Sequence, residues 1–160
     1  MLIRIRFQIG AQWLIIEGTK RAVRPLLRGR GIGPPPFYRE GTALTIAEIQ
    51  TILNADFICG EEWRDHEVQT ACGSDMMSDV LAFVKNQSVL LTGLVNPQVI
   101  RTAEMMDMVC VVFVRGKVPD SAMIALAQQR EIALLSTPER MFTACGLLYE
   151  NGLKGGCDIS

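Results

Sequence analysis

Arg115-Gly116-Lys117 sets two cations around a glycine, directly after the β-branched run Val109-Cys110-Val111-Val112-Phe113-Val114. A guanidinium presents a planar fork that grips a phosphate or carboxylate through two parallel hydrogen bonds, and an ammonium adds a point charge. A second group lies upstream, where Thr92-Gly93 follows Ser88-Val89-Leu90-Leu91 and precedes Asn96-Pro97. It offers a hydroxyl, an unhindered backbone amide and a capping side chain beside a helix start, where free N–H groups and the helix dipole favour an anion. A third, Ser136-Thr137-Pro138, follows Ile132-Ala133-Leu134-Leu135. Helix capping alone accounts for Asn96 as N-cap with Pro97 behind it, and for Thr137 as N-cap. Arg115, Gly116 and Lys117 exceed what a cap needs. The candidate ligand-binding residues are therefore Thr92, Gly93, Asn96, Arg115, Gly116, Lys117, Ser136 and Thr137.

Other reactive side chains make weaker groups. Ser74-Asp75 and Ser78-Asp79 recur at helical spacing; two carboxylates without a histidine are a thin basis for a metal, so Ser74 and Asp75 stand as helix-cap residues and as a possible further part of the site. Cys72 stands just before this start, where a thiolate is favoured, so it is the candidate reactive thiol. The five cysteines include no C-x-x-C pair, and with His66 as the one histidine no zinc site is expected. Neither a Gly-rich dinucleotide loop, a P-loop nor a nucleophile elbow is present. The residues show no catalytic constellation and call for no cofactor.

These groups share one placement. Each closes an apolar strand and opens a helix, and strands that read as continuous hydrophobic runs between helices belong in a parallel sheet covered on both faces. The expected fold is α/β: a single domain with a mainly parallel β-sheet flanked by helices. Its ligands would sit at the carboxyl ends of the strands. Upstream, Thr45-x-x-Glu48 reads as a capping box with Ile46, Ile49, Ile52 and Leu53 behind it, and Asp56–Gly60 as a short strand closed by glycine. Glu67–Cys72 alternates like an edge or half-buried strand. The inner helix stripes read as Met76, Met77, Val80, Leu81 and Val84, then Val99, Ile100, Ala103 and Met106, then Met123, Ile124, Leu126 and Ala127, and last Met141, Phe142, Cys145, Leu148 and Tyr149.

The 160 residues suffice for one domain with a proper core, and no apolar stretch approaches the roughly 20 residues of a membrane span. With no signal peptide legible, a cytoplasmic protein is expected. The net charge of −1 conceals a division: residues 1–43 hold eight Lys/Arg and two Asp/Glu, residues 44–160 eight and fifteen. Residues 1–43 read as a basic Gly/Pro-rich extension, disordered apart from one strand or helix at Trp13–Ile16. A start codon placed too early is the other expectation, because Arg39-Glu40-Gly41 can be encoded as a purine-rich ribosome-binding run ahead of Leu44. Residues 44–153 form the domain and 154–160 a flexible tail.

Residues 45–153 resemble the DRTGG-domain family, small α/β modules found alone or beside CBS domains and related in fold to the N-terminal domain of HPr kinase. The likeness rests on Ala71–Ala82, on Leu91-Thr92-Gly93-Leu94-Val95-Asn96-Pro97 with its continuation to Ala103, on Val112–Lys117, and on Leu134–Thr137 with Met141–Gly146. The run that names the family is absent; Thr92-Gly93 and Arg115-Gly116-Lys117 stand at the corresponding strand ends. The resemblance implies a non-catalytic regulatory or ligand-sensing module, a homodimer, of the stand-alone kind encoded beside hydrogenase and iron–sulfur components. With the basic break it suggests a small anionic or nucleotide-like ligand. The alternatives are a protein-interaction or cysteine-based redox-sensing accessory of such an electron-transfer system, and a transcriptional regulator. Nucleic-acid binding is disfavoured by the acidic domain, and no membrane partner is expected.

Overall fold

The computed structural model describes residues 43–82 and 88–155 with their side chains, and residues 2–9, 12–19 and 83 as backbone. The chain separates into two units between Arg39 and Glu40. In the first, β1 (Leu2–Ile9) and β2 (Gln12–Thr19) pair antiparallel, Leu2 opposite Thr19 and Ile9 opposite Gln12. Trp13–Ile16 falls within β2, and the Gly/Pro-rich run 29–36 lies outside the described residues.

The second unit runs β3 (Leu44–Thr45), α1 (Ile46–Ile52), β4 (Asp56–Cys59), a 3₁₀ turn at Glu61–Trp63, β5 (Glu67–Val68), β6 (Thr70–Gly73), α2 (Met77–Phe83), β7 (Ser88–Thr92) and α3 (Pro97–Met105). It continues through β8 (Cys110–Phe113), α4 (Ser121–Gln129), β9 (Ala133–Ser136), α5 (Met141–Glu150) and β10 (Lys154–Gly155). Six strands form one sheet in the order β10-β6-β7-β8-β9-β4, parallel from β10 to β9 with β4 antiparallel at the edge. Leu44 pairs with Val68 in a separate small ladder. Lys154 and Gly155, assigned by the sequence pattern to the tail, pair with Thr70 and Ala71 and so extend the sheet. Gly73, which closes β6 ahead of α2, makes a fourth strand–break–helix unit where the sequence shows three.

The continuous apolar runs have the cause expected of them. Val89 and Leu91, Cys110, Val112 and Val114, and Ala133 and Leu135 face a core shared with α1 and α5. The alternate residues Leu90, Val111, Phe113 and Leu134 face a second core with α2, α3 and α4. Right-handed crossovers dictate this division. Three successive steps from β6 to β9 lay their helices on one face, and the return from β9 to β10 places α5 on the other. The loops after β8 and β9 leave the sheet to opposite faces, which makes the gap between those strand ends the topological switch point where such sheets hold ligands.

Three helices end at the amino ends of the strands with one motif. Asp107, Glu131 and Gly152 follow the C-caps of α3, α4 and α5 with φ of 50°, 57° and 109°. Behind them the amides of Met108, Ile132 and Leu153 donate to the carbonyls of Ala103, Ala127 and Leu148, the Schellman pattern with its buried apolar residue after the turn. Asn54 (φ 45°) closes α1 in the same way, with Ala55 donating to Gln50.

Two helix stripes differ from the expected ones. Phe142 and Tyr149 are 91% and 52% exposed; Leu148 is buried as expected, with Met141 and Cys145 partly buried beside it, and Ala144 joins it in the core. Along the stripe of α2, Met77 and Val80 are buried while Leu81 and the preceding Met76 are exposed, and Val84 lies outside the described residues. Helices with the apolar surplus of α5 permit more than one inward face, and tertiary packing selects among them.

Candidate functional site

The carboxyl ends of β6, β7 and β8 bring five residues together. Asp75, in the loop after β6, reaches across to the end of β7, where its Oδ1 accepts from the Thr92 hydroxyl at 2.9 Å and the Gly93 amide at 2.6 Å. Its Oδ2 lies 3.5 Å from the Arg115 guanidinium. Arg115 spreads over Gly93, where a Cβ would overlap the guanidinium. The Lys117 ammonium donates to the Gly93 carbonyl. Partial burial pushes the Asp75 carboxyl up, and the Gly93 amide, the Thr92 hydroxyl and the charges of Arg115 and Lys117 outweigh it, so the group stays below the ordinary aspartate range. Thr92 itself is fully buried and accepts from the Leu94 amide at 3.1 Å. A buried hydroxyl, a glycine amide and a guanidinium form a cradle of the kind that holds an oxyanion, with the Lys117 ammonium on the adjoining carbonyl, and a carboxylate of the same chain occupies it.

Asp75 thus departs from its expected capping role. Ser74 takes the local bonds, its Oγ accepting from the Met76 amide at 3.0 Å and its amide donating to the Leu91 carbonyl at 3.1 Å. The Asp75 side chain leaves the helix start for the neighbouring strand end. Its signal in the sequence was that Gly73-Ser74-Asp75 repeats the break grammar, which puts it on the same edge as Thr92.

Arg115 (φ 65°) and Gly116 (φ 63°) both lie in the left-handed region, where glycine is at ease and arginine is strained. This turn aims their amides away from the cradle: Arg115 donates to the Glu139 carbonyl and Gly116 to that of Thr137, both at 2.8 Å. The Ser136 hydroxyl donates to the Lys117 carbonyl at 2.9 Å and the Thr137 amide to the Phe113 carbonyl at 2.9 Å. These bonds stitch the loops after β8 and β9 together across the switch point, where Gly116, Ser136 and Thr137 act as fasteners.

Thr137 does not cap α5, which begins after Arg140 with no side-chain cap. Its buried hydroxyl donates instead to the Leu53 carbonyl at the end of α1 at 2.6 Å and accepts from the Glu139 amide at 3.2 Å. Pro138 and Glu139 separate it from the helix, and a buried hydroxyl takes the partner that burial leaves it. Asn96 caps α3 through the Gln98 amide at 2.8 Å, standing apart from the cradle. Asp120 caps α4 through the Met123 amide.

Cys72 is half-buried and packs with the α2–α4 core, whereas Cys145 packs with the opposite core, so the sheet lies between the two thiols. Burial pushes the thiols of Cys59, Cys110 and Cys145 up. Cys157 lies outside the described residues. Among the described residues no group of three or more His, Cys, Asp and Glu side chains could hold a metal ion, and no helix is long and apolar enough to cross a membrane. A cleft of about 360 Å³ opens at the amino ends of the strands, with Trp63, His66, Glu104, Asp107, Arg130 and Glu131 in its wall. Arg130 and Glu104 pair there at 2.8 Å.

A mainly parallel sheet with helices on both faces defines a three-layer α/β module, and the charged cradle lies at its carboxyl edge. No protein-family model matches the chain, and no curated protein is similar to it. Among solved structures the fold is similar to the CBS and DRTGG domains of the regulatory region of Clostridium perfringens pyrophosphatase, crystallised with its activator diadenosine tetraphosphate. The TM-score is 0.57 at 18% identity, over 68% of this chain and 47% of that one. The chain spans about half the length of this neighbour, and the likeness is one of fold.

Proposed function

We propose that this chain is a non-catalytic regulatory module of the DRTGG kind, homodimeric, which senses a small anionic or nucleotide-like ligand at the carboxyl edge of its sheet. The observation that carries the reading is the convergence of Thr92, Gly93 and Arg115 on the Asp75 carboxylate, with Lys117 held on the Gly93 carbonyl beside it. A cradle that satisfies two oxygens of Asp75 suits a phosphoryl or carboxylate group of similar span. The structural neighbour is a regulatory region bound to a nucleotide activator, which supports a ligand of that class. The exposed Phe142 and Tyr149 of α5 supply apolar surface of the sort that self-association covers.

Thermal-shift titration with adenine nucleotides and phosphorylated metabolites tests the ligand, with light scattering on the same samples to read the dimer. Stabilisation by at least one nucleotide, lost in Arg115→Ala/Lys117→Ala, is expected. A flat response across the set, or shifts that survive the double substitution, would remove the reading.

A further inference from the structure

We propose that Asp75 is a built-in competitor for the anion site, a carboxylate that fills the cradle until a ligand displaces it. The inference rests on the reading of the cradle as an anion receptor and adds how that receptor is regulated. Asp75 makes the contacts that an incoming oxyanion would make: the Thr92 hydroxyl, the Gly93 amide and the Arg115 guanidinium. While it holds them, Arg115 keeps open surface, its side chain 49% exposed.

The geometry makes the plug removable. The Asp75 side chain is 52% exposed, and an ion pair in that setting is weak. The bonds that fix the loop belong to its neighbours: Ser74 donates to Leu91 and holds the Met76 amide. The carboxylate can therefore rotate out of the cradle without breaking those anchors. Met76, next in the chain and 60% exposed, sits on the same short loop, so ligand arrival would be felt first at the start of α2.

Competition has a measurable signature. A ligand that binds only the vacated cradle has its apparent affinity reduced by the vacant fraction. A plug seated about nine-tenths of the time weakens binding about tenfold, equivalent to about 1.4 kcal/mol.

Isothermal titration of the full chain with ATP and with inorganic pyrophosphate tests this on the wild type and on Asp75→Ala, Asp75→Asn and Asp79→Asn. Asp79 lies in the first turn of α2 and is exposed, so its substitution removes the same charge without vacating the cradle. Asp75→Ala should bind about tenfold tighter than wild type and Asp79→Asn within about twofold of it. Asp75→Asn keeps the shape, should gain in the same direction, and carries the test if the alanine variant does not fold. Arg115→Ala added to either Asp75 variant should abolish the gain. Equal affinities for wild type and both Asp75 variants would overturn the plug while leaving the anion site standing. An Asp79→Asn gain matching that of the Asp75 variants would reduce the effect to bulk charge, and a gain that survives Arg115→Ala would place the ligand elsewhere; either overturns it. Absence of binding in every variant would remove the anion site and the plug with it.

Discussion

The two ends of the parallel strands are closed by different means. At the amino end, α3, α4 and α5 each stop with a left-handed residue and a Schellman pair of backbone bonds. At the carboxyl end, side chains and loop amides reach between segments far apart in the chain: Asp75 to Thr92, Lys117 to Gly93, Thr137 to Leu53. One edge is a local solution used three times, and the other is made once, from parts that meet only when the sheet is assembled. A repeated backbone motif tolerates changes of side chain, because backbone atoms make its bonds. An edge built from side chains loses a bond with each one removed. The carboxyl edge is therefore the more specific of the two and the easier to damage.

The largest expected effect breaks the carboxyl edge at its buried fastener. Thr137→Val keeps the shape but strips the hydroxyl from the Leu53 carbonyl, leaving that buried acceptor and the Glu139 amide without their partner. An unsatisfied buried group costs about 1–3 kcal/mol, so chemical denaturation should show a loss of about 2 kcal/mol. Ser136→Ala, which removes a more exposed hydroxyl, should lose well under half of that. Equal losses from the two substitutions would show that burial does not set the strength of this edge.

Locality also decides how much was legible in the sequence. The capping box at Thr45 and Glu48, the ends of α1 at Asn54 and α5 at Gly152, and the buried runs of β7, β8 and β9 are all written within a few neighbouring residues, and the structure contains them. Asp107 and Glu131 use the same left-handed cap without the glycine or asparagine that announces it. The convergence of Thr92, Gly93, Arg115 and Lys117 on one edge follows from strand order. Asp75 was legible only as a helix cap or a possible site residue, because a carboxylate beside a helix start looks like a cap until the neighbouring strand is placed. Thr137 misled for the same reason: its nearest helix lies a few residues ahead, and its partner lies 84 residues behind.

A middle-sized effect sharpens the contrast from the amino end. Glu131→Gly relieves a left-handed non-glycine residue and removes a negative charge from the negative pole of α4. Relief of this kind is worth about 1 kcal/mol, so the melting temperature should rise by about 3–5 °C. The gain should come without loss of the Schellman bonds, since they are made by the Glu131 and Ile132 amides to Gln128 and Ala127. A fall in stability would mean that the Glu131 side chain makes a contact worth more than the strain, and that this edge too depends on its side chains.

The smallest effect separates the edges by their response to acid. The cradle depends on a charged carboxylate, and Asp75 is held below the ordinary aspartate range in the folded state despite the opposing effect of partial burial. A depressed folded-state value means that the contribution is complete above the unfolded value, near 3.9, and fades as pH falls through the folded one. With half of the side chain in solvent, it should amount to about 1 kcal/mol or less. The stability difference between wild type and Asp75→Asn should therefore hold steady at neutral pH and narrow as the solution is taken below about pH 4. The backbone relief in Glu131→Gly involves no proton, so that part of its gain should persist over the same range. A wild-type-to-Asp75→Asn difference that is flat down to acid unfolding would show the carboxylate to be held by shape rather than charge, and the cradle to be no more electrostatic than the Schellman turns at the other end of the sheet.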